Sequence, residues 1–310
     1  MPESPEVQAL ADELGERLRG RAITEVDVVE FRTTKTRARP PAGLVGEQVT
    51  EVARRGKLLD VAVGASQHLV VSLGRHGWAR WRDEGAGGEG VRDADAPSDA
   101  DAAEPAGHET SAEPPPPTLV AFGFDDGSTL ELTDKGSWVS LGCWVVDDPA
   151  EVPAVAKLGP DPADPAFSRA DLDRVVVGRR KQLKAVLQDQ ASLAGIGNAY
   201  SDEILHAARL SPVVHASALS DAERERLFEA TVGVISAAIA ARHGVPIDRL
   251  KEAKVAAMRV HGRVGEPCPR CGDTIRDFAF ASTTAQYCPT CQTGGELLPE
   301  PSDGSPSRGE

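Results

Sequence analysis

The chain has 310 residues, 40% hydrophobic and 26% charged, which is ordinary for a globular protein with room for two modest domains. No apolar run reaches bilayer-spanning length and no secretory signal is seen, so no membrane partner and a cytoplasmic location are expected. The net charge of −14 argues on average against a nucleic-acid partner, yet residues 83–117 carry ten acids and one arginine, leaving only −5 for the rest. A local basic surface built from Arg54, Arg55, Lys57, Arg75, Arg80, Arg179, Arg180, Lys181 and Lys184 therefore stays open.

The chain opens MPESPEVQALADELGERL. Ser4 suits an N-cap and Pro5 a first helical position, and Val7, Leu10, Leu14 and Leu18 make one apolar stripe, so a helix is expected over 4–19. Strand-like segments follow at 23–31, 48–53, 57–63, 68–72, 118–124, 129–133 and 139–146, with the hairpin signal DDG at 125–127. Many short strands spaced by turns suggest a β-sandwich. Residues 84–117, rich in Gly, Ala, Asp, Glu and Pro and ending in PPPP, read as a disordered acidic insertion.

From about 168 the pattern turns helical. In KQLKAVLQDQASLAGIGNAYSDEILHAARLSP at 181–212, helix is expected to about 190 and again over 199–209, with Gly195 and Gly197 at the turn. Asn198 then lies near a helix N-terminus, either as a plain N-cap or where free N–H groups favour a phosphate. Ser220 with Glu223 is a capping-box signature for a further helix, continued on one face by Leu227, Phe228, Val234 and Ile235. CPRC at 268–271 and CPTC at 288–291 form two C-x-x-C pairs separated by sixteen residues, a strong zinc signal. Four thiolates leave no open coordination position, so one structural Zn²⁺ on Cys268, Cys271, Cys288 and Cys291 is expected, at the ends of a hairpin. Cys143 reads as a core cysteine. The tail after 297 is polar and reads as disordered.

PESPEV at 2–7, RRGK at 54–57, LGPDP at 158–162, GIGNAYSDEIL at 195–205, HGRVGEPC at 261–268 and CPTCQ at 288–292 together resemble the Fpg/Nei family of DNA glycosylases in residues, order and spacing. The resemblance implies an α+β multidomain fold. An N-terminal catalytic β-sandwich with a leading helix would occupy 1–150, and a helix–two-turns–helix DNA-binding domain 151–260. A zinc-finger β-hairpin would follow at 261–296 and a tail at 297–310. It also implies a bifunctional glycosylase and abasic-site lyase of base excision repair, acting on damaged or abasic DNA as a monomer, without organic cofactor and near the nucleoid. The alternatives are a lyase without glycosylase activity and a non-catalytic, zinc-dependent damaged-DNA-binding protein.

Removal of the initiator Met would leave Pro2 with a secondary amine able to attack C1′ of a deoxyribose, expel the base and form a cationic iminium. The resemblance assigns Pro2 as nucleophile, Glu3 to proton transfer, Lys57 to a phosphate beside the lesion and Asn198 to DNA. Glu6 is expected to help organise the site, and Lys157 and Lys184 are candidate DNA contacts. The chain departs from the family pattern in three loops. GRHG at 74–77 puts Arg75 or His76 where a wedge residue is expected, DKGSW at 134–138 offers Trp138 for stacking, and Thr283 stands near a customary phosphate-gripping arginine. These departures leave the chemistry in place and point to an altered substrate preference: single-stranded or bubble DNA, oxidised pyrimidines or a bulky adduct.

Overall fold

The computed structural model describes residues 1–83, 115–280 and 283–299, and side chains at 280 and 283 are not described. The expectations for the acidic insertion over 84–114, for the side chain of Thr283 and for the tail from 300 onward lie outside what the structure describes.

Helix α1 (Ser4–Leu18) leads into two four-stranded antiparallel sheets. One sheet has the order β1 (Ile23–Asp27), β6 (Thr118–Phe124), β7 (Thr129–Asp134), β5 (Gly77–Arg82). The other runs β2 (Val49–Arg55), β3 (Leu58–Val63), β4 (Gln67–Ser72), β8 (Gly142–Val146). Alternation places Leu59, Val61 and Val63 of β3 on the face toward the shared core, beside Leu69 and Val71 of β4. Val7, Leu10, Leu14 and Leu18 of α1 are at most 1% exposed and close that core, each such burial contributing about 1.5–3 kcal/mol. Cys143 is fully buried among them, and burial pushes its thiol up to about 12, as befits a core cysteine.

Several local expectations are corrected. Glu3, not Ser4, is the N-cap of α1, and its backbone N–H donates to Glu6 Oε2 at 3.1 Å. The strand expected over 23–31 ends at Asp27, where its ladder with β6 stops; Glu30 N–H still bonds Leu119 O, and a 3-10 turn at Phe31–Thr33 follows, with Val29 and Phe31 exposed. Strand β5, with its sequence GWARWR, was not anticipated. Its arginines find a cross-strand partner, since Arg80 and Arg82 both pair with Glu131 of β7.

The second half holds short α2 (Pro153–Ala156), α3 (Arg169–Val176), α4 (Leu183–Gln188), α5 (Asn198–Ala208), the long α6 (Asp221–Arg242) and α7 (Leu250–Ala257). Ser220 and Glu223 form the expected capping box at the start of α6. A separate core joins Leu183, Leu187, Ile196, Tyr200, Ile204, Leu227 and Ile235. The link between α6 and α7 runs back to the sandwich: Ile247 and Leu250 are buried in its core, and Ile247 O accepts from Trp78 Nε1 at 3.0 Å. Strands β9 (Arg276–Phe280) and β10 (Thr283–Tyr287) form the C-terminal hairpin, followed by one helical turn, α8 (Pro289–Gln292). Among the described residues no helix is long and apolar enough to cross a membrane.

Candidate active site and zinc centre

The start of α1 docks onto the glycine turn ahead of α5. Ser4 N donates to Gly195 O at 2.9 Å, and Gly195 adopts φ 86°, a left-handed conformation suited to glycine. Gly197 is needed for another reason: a Cβ there would lie 2.6 Å from Glu3 Cδ and 2.8 Å from Lys57 Nζ. Without a side chain at 197, the Glu3 carboxylate reaches the N-terminus of α5. It accepts from the backbone N–H groups of Gly197, Ala199 (3.0 Å) and Tyr200 (3.3 Å). The site is thus an anion-binding helix terminus whose anion is Glu3 itself.

Cations surround this buried carboxylate. Burial pushes Glu3 up, but Lys254 and Lys57, with the hydrogen bonds, outweigh it and hold the group below its ordinary value. Burial lowers Lys57 against the pull of Glu3, with Lys254 adding to the depression. Lys254 Nζ lies 3.2 Å from Glu3 Oε1, 3.1 Å from Glu6 Oε2 and 3.2 Å from Met1 O. Glu6 also accepts from Tyr200 Oη at 2.7 Å and pairs with Arg242 Nε at 2.9 Å. The amine at Met1 is lowered, first by burial and then by Lys254, against Glu3.

Pro2, Glu3, Lys57, Arg75, His76 and Asn198 line one cavity of about 770 Å³. A neighbouring cavity of about 460 Å³ shares Pro2 and Lys57 and brings in Lys157. Asn198 is the first residue of α5 rather than its cap, and its Oδ1 accepts from Gln188 Nε2 at 2.9 Å. Arg75 and His76 are exposed on the β4–β5 turn, and Trp138 is 78% exposed beyond β7. Lys184 is a correction. Its side chain is fully buried and bonds Asp202 at 2.5 Å, Ser201 Oγ at 3.0 Å and Asn198 O at 3.2 Å, so it braces α4 against α5 and has no surface to offer DNA. Sequence reasoning missed Lys254, Arg242 and Gln188, for no spacing rule connects α6 or α7 to the first residues of the chain. Tyr200 stood inside the GIGNAYSDE motif and was open to notice.

The four sulfurs of Cys268, Cys271, Cys288 and Cys291 lie within 4.8 Å of one another. Separations of 3.9, 3.3 and 3.4 Å fit the edges of a ZnS₄ tetrahedron, about 3.8 Å for Zn–S bonds of about 2.3 Å. The donor set therefore fits one structural Zn²⁺. His206 Nε2 of α5 sits 3.2 Å from Cys268 Sγ and can orient that ligand from outside the coordination sphere. Glu203 accepts from the backbone N–H groups of Arg259, Val260 and His261, and Asp202 bonds His261 Nδ1 at 2.8 Å, so α5 carries both the glycine turn and the zinc module.

A sandwich joined to a helical domain with a cavity between the two, and a four-cysteine finger beyond, defines a class of DNA-repair proteins. Three family models match in chain order: the formamidopyrimidine-DNA glycosylase N-terminal domain over 1–138, the formamidopyrimidine-DNA glycosylase H2TH domain over 158–247, and the zinc finger found in FPG and IleRS over 265–294. The formamidopyrimidine-DNA glycosylase of Heliobacterium modesticaldum is 32% identical over 303 residues, covering 94% of this chain and all of the relative (100%). An uncharacterized formamidopyrimidine-DNA glycosylase-like protein of Mycobacterium tuberculosis is 48% identical over 149 residues, 48% of this chain and 93% of that protein. The crystal structure of MutM (Fpg) from Thermus thermophilus superposes with a TM-score of 0.73 at 29% identity, covering 94% of this chain and 99% of that one. A mutant of Lactococcus lactis Fpg in complex with Fapy-dG-containing DNA shares the fold, with a TM-score of 0.75 at 23% identity over 94% of this chain and 99% of that one. The chain belongs to the Fpg/Nei family of DNA-repair glycosylases, zinc-finger proteins that bind DNA.

Proposed function

We propose that this protein is a bifunctional DNA glycosylase and abasic-site lyase of base excision repair. The observation that carries the reading is the convergence of Pro2, Glu3 and Lys57 on one cavity, with Glu3 bolted to the turn that presents Asn198. With Met1 removed, Pro2 would present a secondary amine on the cavity wall beside Glu3 and Lys57, and an α-amino group titrates near neutrality, so its unprotonated form is available as a nucleophile. Attack of the amine nitrogen on C1′ breaks the bond to the base, which leaves with a proton, and opens the sugar to an iminium. The iminium acidifies C2′–H. Loss of that proton expels the 3′-phosphate, and a second elimination expels the 5′-phosphate.

Held as a carboxylate, Glu3 is suited to accept the C2′ proton and pass it on. Lys57 offers an ammonium beside it for a backbone phosphate. Arg75, His76 and Trp138, all exposed, are the side chains assigned to fill the gap left by an extruded nucleotide, which would offset an unstacking cost of about a few kcal/mol. Damaged or abasic DNA is the partner, and the zinc finger holds its face of the cleft without entering the chemistry.

Borohydride trapping tests the reading. Protein shown by mass spectrometry to start at Pro2 is incubated with abasic and with oxidised-base oligonucleotides. Covalent adducts on both support the bifunctional enzyme, and an adduct on abasic DNA alone leaves only the lyase. No adduct on either refutes the proposal. An appended N-terminal tag should abolish trapping.

A further inference from the structure

Lys254 belongs to a segment with two anchors. At its start, Ile247 and Leu250 are buried in the sandwich core and the Lys251 ammonium sits 5.0 Å over the Trp78 ring. Along the rest of α7, Val255, Ala256 and Ala257 are exposed. The Lys254 ammonium holds this stretch to the site, meeting Glu3 and Glu6 above the Tyr200 ring at 5.1 Å, two contacts that do not involve Met1, while Met258 just past α7 is buried in the helical core. The charged and titratable groups facing this point are Glu3 at the N-cap of α1, Glu6 within it, the amine at the chain start, Lys57 between β2 and β3, Lys184 of α4, Tyr200 of α5, Arg242 of α6 and Lys251 of α7. Glu3 and Glu6 each lie within 3.2 Å of one nitrogen, so without it two carboxylates would face each other with one fewer cation between them.

We propose that Lys254 is a positioning residue, holding the Glu3 and Glu6 side chains together on one ammonium and, through the same ammonium, drawing α7 over the cavity beside Pro2. Its chemical half rests on the functional reading above; its structural half does not. The arrangement makes α7 responsive to the site. Any substrate group that takes over a bond to Glu3 or Glu6 releases the ammonium, and any loosening of α7 makes Glu3 easier to protonate.

The test uses the full chain beginning at Pro2, with Lys254→Met and Lys254→Arg, read in two ways. Hydrogen exchange of amides 250–257 without DNA should quicken roughly tenfold in Lys254→Met and stay near wild type in Lys254→Arg. The acid limb of the pH–rate profile for abasic-site cleavage should move up by about one pH unit in Lys254→Met and return in Lys254→Arg. Unchanged exchange in Lys254→Met overturns the docking role, and an unmoved acid limb overturns the charge-setting role. Should Lys254→Met fail to fold, Lys254→Gln, polar but neutral, takes its place under the same criteria. A wild-type protein that never cleaves abasic DNA refutes the functional reading instead, and the exchange experiment still decides whether Lys254 holds α7.

Discussion

Gly197→Ala should disable the site while leaving the fold standing. Its Cβ would sit 2.6 Å from Glu3 Cδ, 2.8 Å from Glu3 Oε2 and 2.8 Å from Lys57 Nζ. Carbon atoms in comfortable contact sit at about 3.5–4.0 Å, so something must move by about 1 Å. Glu3 and Lys57 both end in flexible chains, but the carboxylate is tied to Gly197 N, Ala199 N, Tyr200 N and Lys254, and moving it strains bonds worth about 1.5–3 kcal/mol each. The overpacking itself costs about 1–3 kcal/mol. A catalytic group displaced by about 1 Å loses about 10²-fold in rate. Single-turnover cleavage of an abasic oligonucleotide should therefore fall about a hundredfold, with a drop of several degrees in melting temperature, each kcal/mol counting for about 2–4 °C. Gly233→Ala is the control. It lies exposed in α6 with no atom within 4 Å of its Cβ position, and should stabilise by about 0.4–1 kcal/mol without touching activity. A Gly197→Ala protein cleaving within about threefold of wild type would refute the close-approach argument.

Other perturbations test other parts of the structure. Lys184→Met leaves Asp202 buried with its main counter-ion gone and should cost about 3–5 kcal/mol in denaturant unfolding; a loss below about 1 kcal/mol would show that the pair is not buried in solution. Glu3 is held below the ordinary carboxylate value, so its contribution to stability is complete above about pH 4.3 and is lost as pH falls through its depressed native value. Glu3→Gln should accordingly flatten the acid side of the melting-temperature profile, and parallel profiles would contradict the ion cluster. Chelation of zinc should unfold the C-terminal hairpin by circular dichroism, and His206→Ala should weaken zinc binding about 10–100-fold in competition with a chromophoric chelator; equal affinity would deny His206 its orienting role. Trp138→Ala should weaken binding to single-stranded or gapped DNA by about 1–3 kcal/mol in fluorescence titration, whereas unchanged affinity would show that the ring does not stack on a base.

Periodicity and spacing made much of this molecule legible. The stripe Val7, Leu10, Leu14, Leu18 announced α1, the box Ser220–Glu223 announced α6, and two C-x-x-C pairs announced the zinc centre. Each is a local rule, in which residues a fixed number of positions apart must share a face or a turn. Strand β5 escaped because its arginines break the alternation, and only pairing with Glu131 on β7 makes them acceptable there. The strand expected over 23–31 stopped short because its ladder with β6 ends at Asp27, and past it the chain keeps a Glu30 N–H to Leu119 O bond and turns into the 3-10 segment at Phe31–Thr33.

Motif reasoning brought Pro2, Glu3, Lys57 and Asn198 forward as residues, and the tertiary structure decided what surrounds them. The sequence by itself determined the helix that carries Glu3, the glycines at 195 and 197 and the four cysteines, because turn geometry, helical period and metal-ligand spacing act over a few bonds. Only the tertiary structure decided that Gly197 makes room for Glu3, that Lys184 is an internal brace and that Lys254 closes over the carboxylates. Those outcomes depend on contacts between groups up to 251 residues apart, and electrostatic environment follows distance in space, on which spacing along the chain places no constraint.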